Sequence, residues 1–272
     1  MPKTEQDFII LPGGFHIWGI PSRLSGLPQQ IVDEGSSGYA LYPMDNPEWR
    51  KIATDTMVVM GDVPDEALKT LAVTAEKLEE MLQREIGGPP RRHIYTIKIF
   101  RDGAQFCAYA RRCGAGNAFS FYDPVKGELV VHFSMAANAE DFEQTYAHEF
   151  THAYMHRVYG VLDPVWFAEG MAEYFSRLEW TNKGFKPTGK NWNAAMRGEE
   201  IVNIPISEVI RTTRDDLYGM KWPQYYAASW AIVSFLLKKH PQLVEDILLK
   251  NIVDLDPLQK EYRQFLKRRL GV

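Results

Sequence analysis

The stretch "AHEFTHAYMH", residues 147–156, limits the possible folds of this chain more than any other. His148 and His152 are four residues apart, so on a helix they share one face, a single turn from each other. From such a face two imidazole nitrogens reach one zinc ion at ~2.0–2.1 Å each. Glu149 sits beside the first histidine and turns toward the edge of the same face. There it can reach a water at the metal without binding the metal itself. This is the H-E-x-x-H pattern, in which the glutamate serves as general base. The plainer alternative is a buried helix with a few polar residues on it.

A catalytic zinc takes three protein ligands and keeps one position for water. His156 continues the histidine face, but eight residues separate it from His148, which is ~12 Å of helix. That is too far for ligands of one ion. The glycine break of H-E-x-x-H-x-x-G-x-x-H, which brings a third histidine back, is missing. His156 is therefore expected at the surface or in an outer layer. A better third ligand lies in "PVWFAEGMAEYF", residues 164–175, on a following helix after a reversal at "YGVLDP". Antiparallel helices would carry the carboxylate of Glu169 over the histidine pair. Glu173, one turn further on, is placed to accept the outer N–H of a ligating histidine and fix its tautomer. Both glutamates could instead be solvated helix charges. Trp166, Phe167, Ala168 and Met171 surround them, however, and an isolated carboxylate in that company is costly. A metal is the simplest compensation.

The rest of the composition narrows the function classes. A chain of 272 residues, 45% hydrophobic, can bury a full core as one large domain or two lobes. Its net charge of −4, with no basic block, gives a nucleic-acid partner no electrostatic support. The longest apolar runs, such as "WAIVSFLL" at 230–237, are too short to span a membrane. No leader is visible in "MPKTEQDFIILPGG", so the sequence reads as cytoplasmic if complete and secreted if a leader was trimmed. Cys107 and Cys113 fit neither a CxxC pair nor a zinc knuckle and are expected as small packing residues rather than a disulfide. Nothing in the sequence sets an oligomeric state.

Residues 1–54, rich in Gly, Pro and Ser, read as an irregular arm with one or two short strands. A strand at 55–61 precedes a helix marked by Leu68, Leu71, Ala75, Leu78 and Leu82, with Asp62 or Asp65 as its cap and Gly87 to Pro90 as its stop. A strand at 93–100, a short helix at 102–113 and a hairpin at 119–133 follow. Long helices are expected at 139–159, closed by Gly160, and from Pro164 through Arg177. Residues 180–224 read mostly as loop, with a short helix near 207–211, before helices at about 225–239, 242–249 and 257–268. The sheet thus precedes the motif and helices dominate after it. The expected fold class is α+β, with a small mixed sheet and edge hairpin in an N-terminal lobe, 55–160, and a mainly helical C-terminal lobe, 161–272.

Taken together, "HEFTHA" and "PVWFAEGMAEYF" resemble the gluzincin metallopeptidases, in which a glutamate on the second helix completes the site begun by HExxH. Within that clan they are most similar to the peptidase MA-like families, such as the DUF1570 domain, which carry a Pro-x-Trp-x-x-Glu-Gly-x-Ala-Glu-Tyr stretch. The resemblance covers roughly residues 55–250 and is specific across 121–175. It implies a zincin-like fold and a peptide or protein substrate. It also implies Zn²⁺ on His148, His152 and Glu169, with Glu149 as base. The Gly-x-Met-Glu-Asn signature of the clan's aminopeptidases is missing, which favours an endopeptidase. The developing oxyanion needs a donor, and "QYYAASW" offers Tyr225 and Tyr226, the resemblance pointing to Tyr226. An edge strand above the site would align the substrate backbone; "ELVVHF" suggests Val130, Val131 and His132, although His132 reads more readily as a pleat residue. The loop at 180–224, with Trp192 and Trp222, is either a cover for the cleft or a plain insertion. Two other readings stand beside the peptidase: a zinc-bound binding module that no longer cleaves, and a metal-free helical protein.

Overall fold

The structure is a computed structural model that describes residues 9–11, 15–17, 40–43, 49–88, 94–115, 118, 120–133, 139–190, 198–217 and 222–271. It divides into two compact units: residues 1–153 with 180–185, and 154–179 with 186–272.

The first unit is built on a six-stranded mixed sheet in the order β3-β4-β5-β6-β8-β7. Its strands are β3 (Ala40–Pro43), β4 (Arg50–Ala53), β5 (Met57–Gly61), β6 (Tyr95–Phe100), β7 (Ser120–Asp123) and β8 (Glu128–His132). β1 (Ile9–Leu11) and β2 (Phe15–Ile17) form a separate antiparallel pair. β5, β6 and β8 run parallel, while β3, β4 and β7 run antiparallel to their neighbours. Among the described residues before 55 the short strands number four, and two of them, β3 and β4, extend the main sheet. One expectation is corrected here. β8 is not an edge strand: it is hydrogen-bonded between β6 and β7, and β7 is the outer strand among the described residues.

The parallel crossovers β5–α1–β6 and β6–α2–β8 use α1 (Asp65–Ile86) and α2 (Gly103–Arg112). The leucine repeat does build α1, and Gly87, at φ 74°, ends it. Its N-cap is Pro64, not an aspartate. Asp62 instead accepts the backbone N–H of Arg101 at 2.6 Å and of Asp102 at 3.3 Å, tying β5 to the start of α2. Asp102 caps α2 by accepting from Gln105 N–H at 2.7 Å.

Strand alternation sorts the side chains onto two faces. Phe100, Val130 and Phe121 pack with Phe106 and Ala110 of α2 on one face. Lys98 pairs with Glu128 at 2.8 Å on that face, and Tyr109 of α2 donates to the same carboxylate. The opposite face, with Met57, Val59, Tyr95, Ile97 and Val131, is fully buried. α1 lies against β4 and β5, and α3 (Ala139–Tyr159) is fixed by two aromatic anchors. The hydroxyl of Tyr146 donates to the Leu71 carbonyl at 2.9 Å, and Phe150 packs on Tyr95 at 5.0 Å between ring centroids.

α3 ends as the sequence suggests. Gly160 takes φ 67°, and its N–H bonds the His156 carbonyl at 2.8 Å. In the second unit the chain re-enters a helix at α4 (Val165–Ser176), with Pro164 at the N-cap. The loop expected at 180–224 holds more structure than periodicity suggested. It contains the hairpin β9 (Leu178–Thr181) and β10 (Gly184–Pro187), then α5 (Gly198–Asn203), α6 (Ile206–Val209) and α7 (Arg214–Leu217). α8 (Trp222–Lys239), α9 (Pro241–Leu248) and α10 (Gln259–Leu270) complete the unit. This is the α+β class expected, a mixed sheet followed by a mainly helical C-terminal region, compatible with a zincin-like peptidase fold.

α8 is the axis of the second unit, and α4 lies along it. Their close approach depends on Gly170. A Cβ there would stand 2.5 Å from the Ser229 carbonyl oxygen and 2.7 Å from Val233 Cγ2. We therefore expect Gly170→Ala to destabilise the protein by about 1–3 kcal/mol through overpacking, although alanine gains up to ~1 kcal/mol in helix propensity. Denaturant titration of the two proteins checks this.

Candidate metal centre

On α3 the residues sort by angle at 100° per residue. Tyr146 and Phe150 face the sheet and α1. His148 and His152 form a separate stripe, their rings 4.9 Å apart at 76°. Glu149 falls between the two stripes. His148 is half-buried, while His152 and Glu149 are each 8% exposed. The carboxylate of Glu149 accepts the hydroxyl of Ser120, Oγ to Oε1, at 2.8 Å.

Glu169 is on α4, which is apolar on nearly every side, and is only 4% exposed. Donor atoms of His148, His152 and Glu169 all lie within 4.8 Å of one another, the one grouping of metal-ligating side chains found among the described residues. The Nε2 atoms of His148 and His152 are 3.2 Å apart. Two nitrogens each ~2.05 Å from a tetrahedral ion stand about 3.3 Å apart, so the spacing suits zinc. Two imidazoles and one carboxylate are also a donor set of catalytic zinc sites, leaving a fourth position for water. The residues present fit the metal.

The other expected site residues fare differently. Among the described residues His156 is not part of the metal grouping. Its pKa is lowered, first by burial and then by Arg157 and Lys250. Glu173 is half-buried one turn beyond Glu169. The Tyr225 hydroxyl donates to Glu208 Oε1 at 3.2 Å, and burial, then that carboxylate, raises its pKa. Tyr226 is half-buried. Val130, Val131 and His132 are corrected as substrate-aligning residues. All three are buried on the interior strand β8, where both edges are already paired. His132 stacks on Phe106 at 5.2 Å, and burial lowers its pKa. Cys107 and Cys113 are free thiols. Trp192 and the side chain of Trp222 lie outside the described residues.

Sequence reasoning missed Ser120. A signal existed in the alternation of "SFYD", where Phe121 on one face sends its neighbour to the other. Which helix waits on that face was not legible.

His148, His152 and Glu169 thus form a His₂Glu donor set that could hold a metal ion, on an α+β fold. The chain belongs to the collagenase family, peptidase M9, a zinc metallopeptidase family that matches residues 127–267, just over half of its length and all of the donor set. No curated protein matches the chain. No described helix is long and apolar enough to cross a membrane.

Proposed function

We propose that the chain is a zinc endopeptidase of the gluzincin type, with the HExxH–Glu organisation also found in the peptidase MA-like (DUF1570) group. The observation that carries this is the convergence of His148, His152 and Glu169 within 4.8 Å in a chain of the collagenase family. Those three side chains would hold Zn²⁺. Zinc, when bound, supplies Lewis-acid chemistry, polarising a peptide carbonyl and making water acidic near neutral pH. Glu149 takes the proton of the attacking water and hands it to the leaving amine. Glu173 orients a ligating imidazole through its outer N–H, and Tyr226 donates to the oxyanion. The substrate backbone adds alongside β7, the outer strand among the described residues, since β8 is paired on both sides.

The test is metal analysis of the purified protein together with digestion of a peptide library that includes gelatin. The expected result is one zinc per chain and internal cleavages that vanish with a chelator and return with Zn²⁺. Full zinc occupancy with no cleavage of any peptide would point to the non-cleaving binding module. Absence of stoichiometric zinc would sink both readings.

A further inference from the structure

We propose that Ser120 is a positioning residue that aims Glu149 at the attacking water; this rests on Glu149 being the general base. The bond of 2.8 Å joins an outer strand to the metal-bearing helix, and it follows from register rather than chance. Ser120 pairs with Val131, and Phe121 with Val130. Val130 and Phe121 pack with α2, so Val131 and Ser120 face the other side of the sheet, where α3 is anchored by Tyr146 and Phe150. Glu149 is the residue of α3 that lies between the sheet-facing stripe and the histidine stripe. A serine at this strand position therefore meets that carboxylate and neither imidazole.

The chemistry suits positioning. An ionised carboxylate accepts at both oxygens, and Ser120 occupies Oε1. Oε2 then remains to receive a proton, with the torsions of the side chain restrained by a hydrogen bond to a charged group. Such bonds are about twice as strong as neutral ones. A glutamate without this restraint spends less time correctly oriented, and orientation errors of an ångström cost up to ~100-fold in rate.

The experiment compares Ser120→Thr with Ser120→Val, an isosteric pair that suits a strand and differs in the hydroxyl, alongside Ser120→Ala. Zinc content and melting temperature are measured for each. Ser120→Thr should keep kcat within a few-fold of wild type. Ser120→Val and Ser120→Ala should lose on the order of 10- to 100-fold in kcat with KM unchanged. A purely structural serine would change melting or zinc content, or both kinetic constants together. Equal kcat in the threonine and valine variants overturns the proposal. Calorimetric binding of a peptide hydroxamate to the zinc-loaded proteins supplies a readout independent of turnover. It should weaken about ten-fold from threonine to valine, and equal binding likewise overturns the proposal. If the wild type binds zinc and hydroxamate but cleaves nothing, the peptidase reading fails while the Ser120 link is still decided by this second measurement.

Discussion

Glu149→Gln should give a folded protein that keeps its zinc and loses at least ~100-fold in kcat, the lower end of what a positioned general base contributes. The substitution preserves shape. The amide oxygen can still accept the Ser120 hydroxyl now received by Oε1, so the bond of 2.8 Å between β7 and α3 has a successor. The amide is not basic and cannot take a proton from water. His148, His152 and Glu169 are untouched, so zinc content should match the wild type. Stopped-time assays on a fluorogenic peptide, beside metal analysis of the same sample, check both halves. Retention of wild-type turnover would remove Glu149 from the mechanism.

Glu169→Gln should weaken zinc binding by more than ~100-fold, beyond the 10- to 100-fold typical of losing a partner one layer further out. A neutral amide is a poor ligand for Zn²⁺, and two imidazoles 3.2 Å apart do not by themselves make a tight site. The effect should also show in stability. A ligand present at 100 times its dissociation constant adds ~2.7 kcal/mol to folding. Zinc should therefore raise the unfolding midpoint of the wild type and leave that of the variant almost unmoved at the same concentration. Competition with a chromogenic chelator and denaturant titration with and without zinc test the two consequences. Unchanged zinc affinity would mean that the third ligand is another residue.

These results would rest on features that the sequence revealed unevenly. The helix of the histidine pair was legible because its signals are local: two histidines at helical spacing and a glycine, Gly160, whose φ of 67° ends the helix. Glu169 was legible because an apolar helix gives a carboxylate few places to go. The sheet edge was misread because pairing partners are distant in sequence. "ELVVH" and "SFYD" are both good strands, and alternation does not say which one is outermost. Burial does: Leu129 to His132 are all buried, whereas every residue of β7 is half-buried. The unbroken apolar run "LVV" was the available hint, since a strand covered on both faces needs no polar alternation. β3 and β4 were hidden by their glycine- and proline-rich setting. The hairpin β9–β10 was hidden by strands of only four residues each.

The β7–β8 turn carries a consequence beyond its own geometry. Asp123 Oδ1 accepts the N–H groups of Val125 and Lys126, and Gly127, at φ 68°, closes the turn. Adding or deleting one residue there would slide one strand past the other and invert which side chains look toward α3. Phe121 would then occupy the place of Ser120. An exposed loop tip, ordinarily free to vary in length, is in this protein the ruler that meters which strand residue meets the Glu149 carboxylate.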